Sequence, residues 1–151
     1  MLGDSAAGLA LLEAGHTGPA ALIAAHQRPR PPYAAGPEAA RLGATSMIDV
    51  SDGLLADLGH IAAASGVLID VAEALLPVSG DLAAAAAALG TARPLDWVLT
   101  GGEDHALAAT FPPGISLPPG WMMAGHVHAG QGVRVNGRAF TGPAGWNHFS
   151  R

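Results

Sequence analysis

The stretch Ile48-Asp49-Val50-Ser51-Asp52-Gly53-Leu54 is the most informative segment for the fold of this chain. Here an apolar segment ends in two carboxylates and a hydroxyl. Residues 45–50 predict a short strand, and residues 54–64 predict a helix with apolar side chains at helical spacing. The Ser-Asp-Gly sequence between them is therefore expected at a strand-to-helix turn. Backbone N–H groups collect at such a turn, and they can bind phosphate oxygens.

The acids of this turn predict a metal ion in addition to an anion. Asp49 and Asp52 would repel a phosphate unless a cation such as Mg²⁺ lay between them. The implied ligand is then a metal-bound phosphate. The alternative is purely structural: Ser51 or Asp52 caps the helix, and Asp49 is a solvated strand end. These seven residues alone leave both interpretations open.

Composition limits the classes of protein to consider. A chain of 151 residues predicts one domain or a tightly joined pair. The formal net charge of -5 and the absence of Lys argue against a surface for nucleic acid or anionic membrane. With no Cys, disulfides, thiolate zinc sites and a Cys nucleophile are excluded, which is compatible with a cytoplasmic location. No apolar run is long enough for a transmembrane helix.

The remaining sequence predicts that helices and strands alternate early in the chain and that strands cluster late. Helices are expected at residues 5–14, 18–27, 37–42 and 82–89, and strands at residues 67–71, 95–100, 106–111, 121–127 and 132–135. A Pro-rich connector at residues 28–33 separates the first helices from the rest. This order favours an α/β or α+β domain, in which helices flank a mixed sheet. Leu9, Leu12 and Leu22 are expected to face the core.

A second polar motif, Thr100-Gly101-Gly102-Glu103-Asp104-His105, places two glycines directly before two acids. Paired glycines let a backbone approach a ligand closely and adopt positive φ angles. The alternative is an ordinary glycine-containing hairpin with exposed acids.

Two arrangements of histidine have simple structural explanations. His126 and His128 share one face of a predicted strand, but no third ligand has a supporting spacing, so solvent-facing side chains are expected. Asp57 and His60 lie three residues apart on a predicted helix, where a hydrogen-bonded pair is favoured over a catalytic one.

Taken together, the two motifs resemble the carboxy-terminal half of thiamine-monophosphate kinase. The likeness includes Ala56-Asp57-Leu58-Gly59-His60, Gly145-Trp146-Asn147-His148-Phe149 and Gly3-Asp4-Ser5-Ala6-Ala7-Gly8-Leu9, in matching order and spacing. It therefore covers almost the whole chain. The resemblance implies the fold of the aminoimidazole-ribonucleotide synthetase superfamily, and within it the carboxy-terminal domain. It also implies transfer of a phosphoryl group from ATP to thiamine monophosphate, giving thiamine diphosphate, with the help of Mg²⁺.

The resemblance also implies roles for particular residues. Asp49 and Asp52 match metal ligands of the family, and Ser51 matches a residue that contacts the phosphates of ATP. Glu103 and Trp146 match contacts to thiamine monophosphate. These roles suit phosphoryl transfer, which depends on positioning and on neutralising charge.

The chain departs from the family in two respects. The family has an aromatic residue, often Tyr, where His105 stands here. The amino-terminal half, which supplies most of the ATP site and the dimer interface, has no counterpart in this sequence. Residues 1–151 are therefore expected to form a single carboxy-terminal domain, with residues 1–36 as a helical and Pro-rich lead-in.

Two expectations follow for the chain on its own. It should lack kinase activity, and its apolar helices should allow a homo-oligomer. The alternatives to a kinase part are a stand-alone module that binds a phosphorylated ligand or regulates without turnover, and another member of the same superfamily.

Overall fold

Three helices begin the chain, helices and strands then alternate, and four strands end it, along residues 1–90 and 93–145, which the computed structural model describes. The helices are α1 (Asp4–Glu13), α2 (Ala20–Gln27), α3 (Ala35–Arg41), α4 (Leu54–Ser65), α5 (Gly80–Leu89) and α6 (Pro94–Thr100), with a short 3₁₀ helix at Glu73–Leu75. The strands are β1 (Ser46–Val50), β2 (Val67–Val71), β3 (Ala106–Thr110), β4 (Gly125–Ala129), β5 (Gly132–Val135) and β6 (Arg138–Ala139). Most of the predicted elements are present within a few residues of their expected bounds.

The strands form two separate sheets. β1 pairs with β3 in an antiparallel ladder that sets Asp49 opposite Leu107. The second sheet has the strand order β4-β2-β5-β6, in which β2 and β5 are parallel and the other pairs are antiparallel. The prediction of a layered α/β domain with a mixed sheet and flanking helices is confirmed.

Helix α4 connects the two sheets and forms the centre of the core. It packs against β1, β2, β5 and α6. Its apolar face is buried through Leu54, Leu55, Leu58, Ile61 and Ala62. Full burial of one Leu or Ile side chain stabilises a fold by about 1.5–3 kcal/mol, so this face holds the start of α4 firmly at the end of β1.

The prediction of a strand at residues 95–100 was wrong, because this segment is helix α6. Pro94 occupies the start of the helix, where its fixed φ angle is suitable and no N–H is required. Leu95, Val98 and Leu99 then recur at helical spacing, and Val98 and Leu99 are fully buried. A short apolar run is ambiguous between strand and helix, and the burial of one helical face decided the outcome.

The strand expected at residues 121–127 begins later, at Gly125. Trp121 is held elsewhere: its indole N–H donates to Glu38 at 2.7 Å, and its ring meets Phe111 edge to face at 5.8 Å. These contacts fix Trp121 against α3 and the end of β3. His126 and His128 lie on β4 and are exposed, as expected.

Helix α1 corrects two further expectations. Leu22 is buried, but Leu9 and Leu12 are 40% and 38% exposed, and Ala7 and Leu11 take the core positions instead.

No helix in the described part of the chain is long and apolar enough to cross a membrane.

Candidate functional site

The turn between β1 and α4, residues 51–53, brings three backbone N–H groups to one side-chain oxygen. The N–H groups of Ser51, Asp52 and Gly53 donate to Oδ2 of Asp57 at 3.0, 3.1 and 3.2 Å. Asp57 lies in the first turn of α4 and is only 2% exposed. A buried carboxylate is costly unless it accepts hydrogen bonds, and these three bonds offset that cost.

This arrangement corrects the expected use of the 51–53 turn. The backbone N–H groups were expected to bind phosphate oxygens, but the chain's own Asp57 carboxylate occupies them. Asp57 was also expected to pair with His60, and within the described residues its hydrogen bonds run to the turn instead. The N–H groups of this turn are therefore already bonded within the chain.

The acids near the turn form a group that is suited to a cation. Oxygen atoms of Asp52 and Asp57 and a ring nitrogen of His60 all lie within 4.8 Å of one another. Asp52 is half-buried and His60 is exposed. Asp49 is exposed on β1 and is not a member of this close group. Carboxylate oxygens are the ligands that Mg²⁺ prefers, so the acids of this group, rather than the His60 nitrogen, suit that ion. Oδ2 of Asp57 already accepts three backbone N–H bonds.

The loop of residues 101–105 lies directly against the 51–53 turn. The N–H of Glu103 donates to the carbonyl of Ser51 at 2.8 Å, and the N–H of His105 donates to the carbonyl of Val50 at 2.9 Å. Two glycines permit this approach. A Cβ on Gly53 would lie 2.7 Å from the Thr100 carbonyl oxygen, and one on Gly102 would lie 2.7 Å from the Ser51 carbonyl oxygen. Gly102, one of the paired glycines, thus lets the loop approach the backbone of the turn closely.

Asp104 joins the 101–105 loop to the beginning of α1. Its carboxylate accepts hydrogen bonds from the N–H of Gly3 at 2.5 Å and the N–H of Ser5 at 3.0 Å. Burial raises the pKa of Asp104 from 3.8 to about 6, although the two N–H bonds oppose the rise. Asp104 thus caps the beginning of α1 from about one hundred residues further along the chain.

Glu103 and His105 flank Asp104 and point their side chains toward each other. Both residues have positive φ angles, 64° and 49°. Their side chains approach to 3.4 Å between Oε2 and Nε2, which is an ion pair when the imidazole is protonated. Glu103 is 59% exposed and so remains accessible to a ligand.

The structure thus brings Ser51, Asp52 and Glu103 into one surface, with Asp49 on the adjoining strand. Trp146 lies outside the described residues. Gly145, the residue before it, packs closely against the backbone of Asp52. The sequence analysis missed the hydrogen bonds of Asp57 and Asp104. An acid in the first turn of a helix was a local signal for the former, whereas Asp104 offered no comparable signal.

Asp49 and Glu103 are exposed, and Ser51 and Asp52 are half-buried. Two open clefts of about 420 and 440 Å³ occur on the described part of the chain. The first lies between Arg93 and Arg138, and the second lies beside Gly59 and Gly132. None of the described site residues, which are Asp49, Ser51, Asp52 and Glu103, lines either cleft.

Comparison with known proteins identifies relatives of this chain. No family model matches it. Thiamine-monophosphate kinase of Mycobacterium tuberculosis (strain ATCC 25618 / H37Rv) is 54% identical over an alignment of 150 residues that covers 98% of this chain and 44% of that protein. The solved structure of AaThiL complexed with AMPPCP and TMP matches with a TM-score of 0.84 and 35% identity, over 99% of this chain and 49% of that one. Thiamine-monophosphate kinase from Stenotrophomonas maltophilia K279a gives a TM-score of 0.78 and 34% identity, over 93% and 49%.

The chain therefore spans about half the length of the relatives that it matches. The match extends over nearly all of the chain in both sequence and structure. It includes the 51–53 turn and the 101–105 loop, the two segments that the described site combines. The resemblance predicted from the sequence is confirmed: this chain is similar to the carboxy-terminal domain of thiamine-monophosphate kinases.

Proposed function

We propose that this chain forms the carboxy-terminal part of a thiamine-monophosphate kinase. The whole enzyme would transfer the γ-phosphoryl group of ATP to thiamine monophosphate and release thiamine diphosphate. The observation that carries the proposal is the 2.8 Å hydrogen bond from Glu103 to the carbonyl of Ser51. It places a residue proposed for ATP beside one proposed for the acceptor, and phosphoryl transfer needs its two substrates held together.

The relatives support the choice of substrates. A structure with the same fold holds AMPPCP, an ATP analogue, together with TMP. Phosphates and carboxylates repel each other, so the acids of this surface require a cation to accept ATP. We propose Mg²⁺ in that role, with Asp49 and Asp52 as its protein ligands. When bound, it would neutralise charge on the phosphates.

The side chains of this surface have separable tasks in the proposal. The Ser51 hydroxyl donates to a phosphate oxygen, since the Ser51 N–H is already bonded to Asp57. Glu103 accepts from, or pairs with, the positively charged thiamine group. Trp146 stacks against a ring of thiamine monophosphate, an interaction that contributes about 0.5–2 kcal/mol.

A chimeric enzyme tests the proposal. The 150 residues of the Mycobacterium tuberculosis kinase that match this chain are replaced by this chain, and thiamine diphosphate formation is measured. We expect turnover typical of kinases, on the order of 1 per second or faster. In the chimera, Asp52→Asn should lower kcat by at least about 100-fold, because a lost metal ligand mainly destabilises the transition state.

A matched control for this experiment is Asp81→Asn. Asp81 is an exposed acid in the first turn of α5 and takes no part in the described site. It should leave kcat close to that of the unmodified chimera. A folded chimera that is inactive, or one in which Asp52→Asn behaves like Asp81→Asn, would contradict the proposed role.

The isolated chain is proposed to be inactive, because it spans only about half of its relatives. Titration of the isolated chain with thiamine monophosphate in a calorimeter measures whether it binds this ligand on its own. A heat of binding that disappears in Glu103→Gln, in a chain that does not turn over ATP, would favour the alternative of a module that binds a phosphorylated ligand.

We further propose a cytoplasmic location, to which the lack of Cys is suited.

A further inference from the structure

The 51–53 turn has the backbone geometry of an anion site but has no vacancy for an anion. Three consecutive N–H groups that converge on one point form a concavity of the kind that binds phosphate in many proteins. Here, Oδ2 of Asp57 occupies that point at 3.0 to 3.2 Å. A fixed internal carboxylate has taken the place of an exchangeable ligand.

The same carboxylate fixes the backbone that carries Asp52. Asp57 accepts from the N–H groups of Ser51, Asp52 and Gly53, so the backbone is restricted on both sides of the Asp52 Cα. The loop supplies the opposing restraint, because Glu103 donates to the Ser51 carbonyl. The direction in which the Asp52 side chain leaves the turn is therefore set by Asp57 from the inside and by the loop from the outside.

We propose that Asp57 is a positioning residue for the metal-binding Asp52. The inference rests on the proposed function, in which Asp52 holds Mg²⁺. Asp57 contributes through the backbone: its buried oxygen holds the turn, and the turn presents the Asp52 carboxylate. Partners that orient a metal ligand commonly change metal affinity by about 10- to 100-fold when they are replaced.

Metal binding by the chain separates this role from ordinary helix capping. Mn²⁺ serves as a probe for the Mg²⁺ site, and free Mn²⁺ is measured by electron paramagnetic resonance during titration. Asp57→Asn keeps the shape of the side chain and removes its charge. We expect it to weaken Mn²⁺ binding by about 10-fold or more. Asp52→Asn should abolish binding at the same site.

The matched control is Ser79→Ala, which removes a helix cap far from the turn. The Ser79 hydroxyl accepts from the N–H of Leu82 at 3.1 Å at the beginning of α5. If Asp57 were only a cap, Asp57→Asn and Ser79→Ala would both leave Mn²⁺ affinity unchanged in the folded protein. Should Asp57→Asn fail to fold, Asp57→Glu keeps the charge and displaces the oxygen, and it should also weaken Mn²⁺ binding.

The outcomes distinguish the inference from the proposed function. If Asp52→Asn abolishes binding while a folded Asp57 variant binds as tightly as the original chain, the positioning role is wrong and the proposed function stands. If the original chain binds no Mn²⁺, or binds it independently of Asp52, the metal role of Asp52 fails and the positioning role fails with it. Weaker binding in Asp57→Asn, with Ser79→Ala unchanged, supports both.

Discussion

The two segments that meet at the site are held by the same device over very different sequence distances. In the 51–53 turn, Asp57 accepts three backbone N–H bonds from residues four to six positions away. In the 101–105 loop, Asp104 accepts two such bonds from residues 99 and 101 positions away. The first restraint is local and belongs to one helix start, whereas the second depends on the whole fold being in place.

This difference has a practical meaning for the site. The turn carries Asp52 and Ser51, and its restraint should survive modest changes elsewhere in the molecule. The loop carries Glu103, and its restraint should respond to anything that shifts α1. We therefore expect Asp52, the proposed metal ligand, to be held more independently than Glu103, the residue proposed to bind the acceptor.

The strongest way to break the comparison is to separate the turn from the loop. Gly53→Ala places a Cβ 2.7 Å from the Thr100 carbonyl oxygen and forces a side chain onto a residue with φ of 128°. We expect a loss of about 3 kcal/mol or more in the free energy of unfolding, measured by urea denaturation.

Gly59→Ala is the matched control for that substitution. Gly59 lies within α4, the helix that Gly53 directly precedes. Among the described atoms outside its own helix, none comes within 4 Å of a Cβ built there. It should raise stability by about 0.5–1 kcal/mol, because Ala is the better helix former. Equal effects of the two changes would show that the contact between turn and loop is unimportant.

The next largest effect should come from Asp57→Asn, which tests the local restraint. Three N–H groups lose a charged acceptor, and hydrogen bonds to charged groups contribute about 1.5–3 kcal/mol each in favourable cases. We expect a total loss of about 2–3 kcal/mol near pH 7, since the amide oxygen of Asn retains part of the bonding. Urea denaturation of Asp57→Asn and Asp104→Asn compares their losses in the free energy of unfolding. A smaller loss for Asp57→Asn than for Asp104→Asn would contradict the expectation that the local restraint contributes more.

The pH dependence of stability tests the long-range restraint. The pKa of Asp104 is about 6 in the folded chain against an ordinary value of 3.8, so the folded state holds this proton more tightly than the unfolded state. The stability that this group contributes is present below about pH 4 and is lost as pH rises through about 6. The full change is on the order of 3 kcal/mol.

Asp104→Asn should remove that part of the pH dependence. Denaturation of both proteins at about pH 4, 5, 6 and 7 gives the comparison, and the gap between them should narrow or reverse as pH rises. Parallel curves across this range would mean that Asp104 titrates equally in the folded and unfolded chains.

The smallest effect on the fold is expected on the exposed side of α1. Leu9 and Leu12 are well exposed there, while Ala7 and Leu11 lie in the core. Leu9→Glu with Leu12→Glu should reduce self-association in sedimentation at several concentrations and leave circular dichroism unchanged. Ala24→Glu, an exposed substitution on α2, is the control. A chain that is monomeric at every concentration would contradict the expected oligomer.

The sequence predicted the turn well because the signals for it are local. An apolar strand, a polar Ser-Asp-Gly segment and a periodic helix follow one another within twenty residues, and the observed β1 and α4 match them closely. The hydrogen bonds of Asp57 to this turn could have been predicted from the same local signals. An acid in the first turn of a helix lies close to unpaired N–H groups, although the sequence analysis assigned it to His60 instead.

The loop could not be predicted in the same way. The partners of Asp104 lie about one hundred positions away, and no spacing rule connects them. The segment before the loop was also misjudged, because Leu95, Val98 and Leu99 suit either a buried strand or a short helix. Only packing against the core resolved that choice.

The attachment of Asp104 to α1 has a consequence for how the chain folds. Two hydrogen bonds close a segment of about one hundred residues, and closing so long a loop carries an entropic cost before any contact forms. Contacts of this kind tend to form after local structure such as α4 and its turn. We therefore expect Asp104→Asn to accelerate unfolding more than it slows folding, so that the 101–105 loop is the last part of the site to be assembled and the first to open.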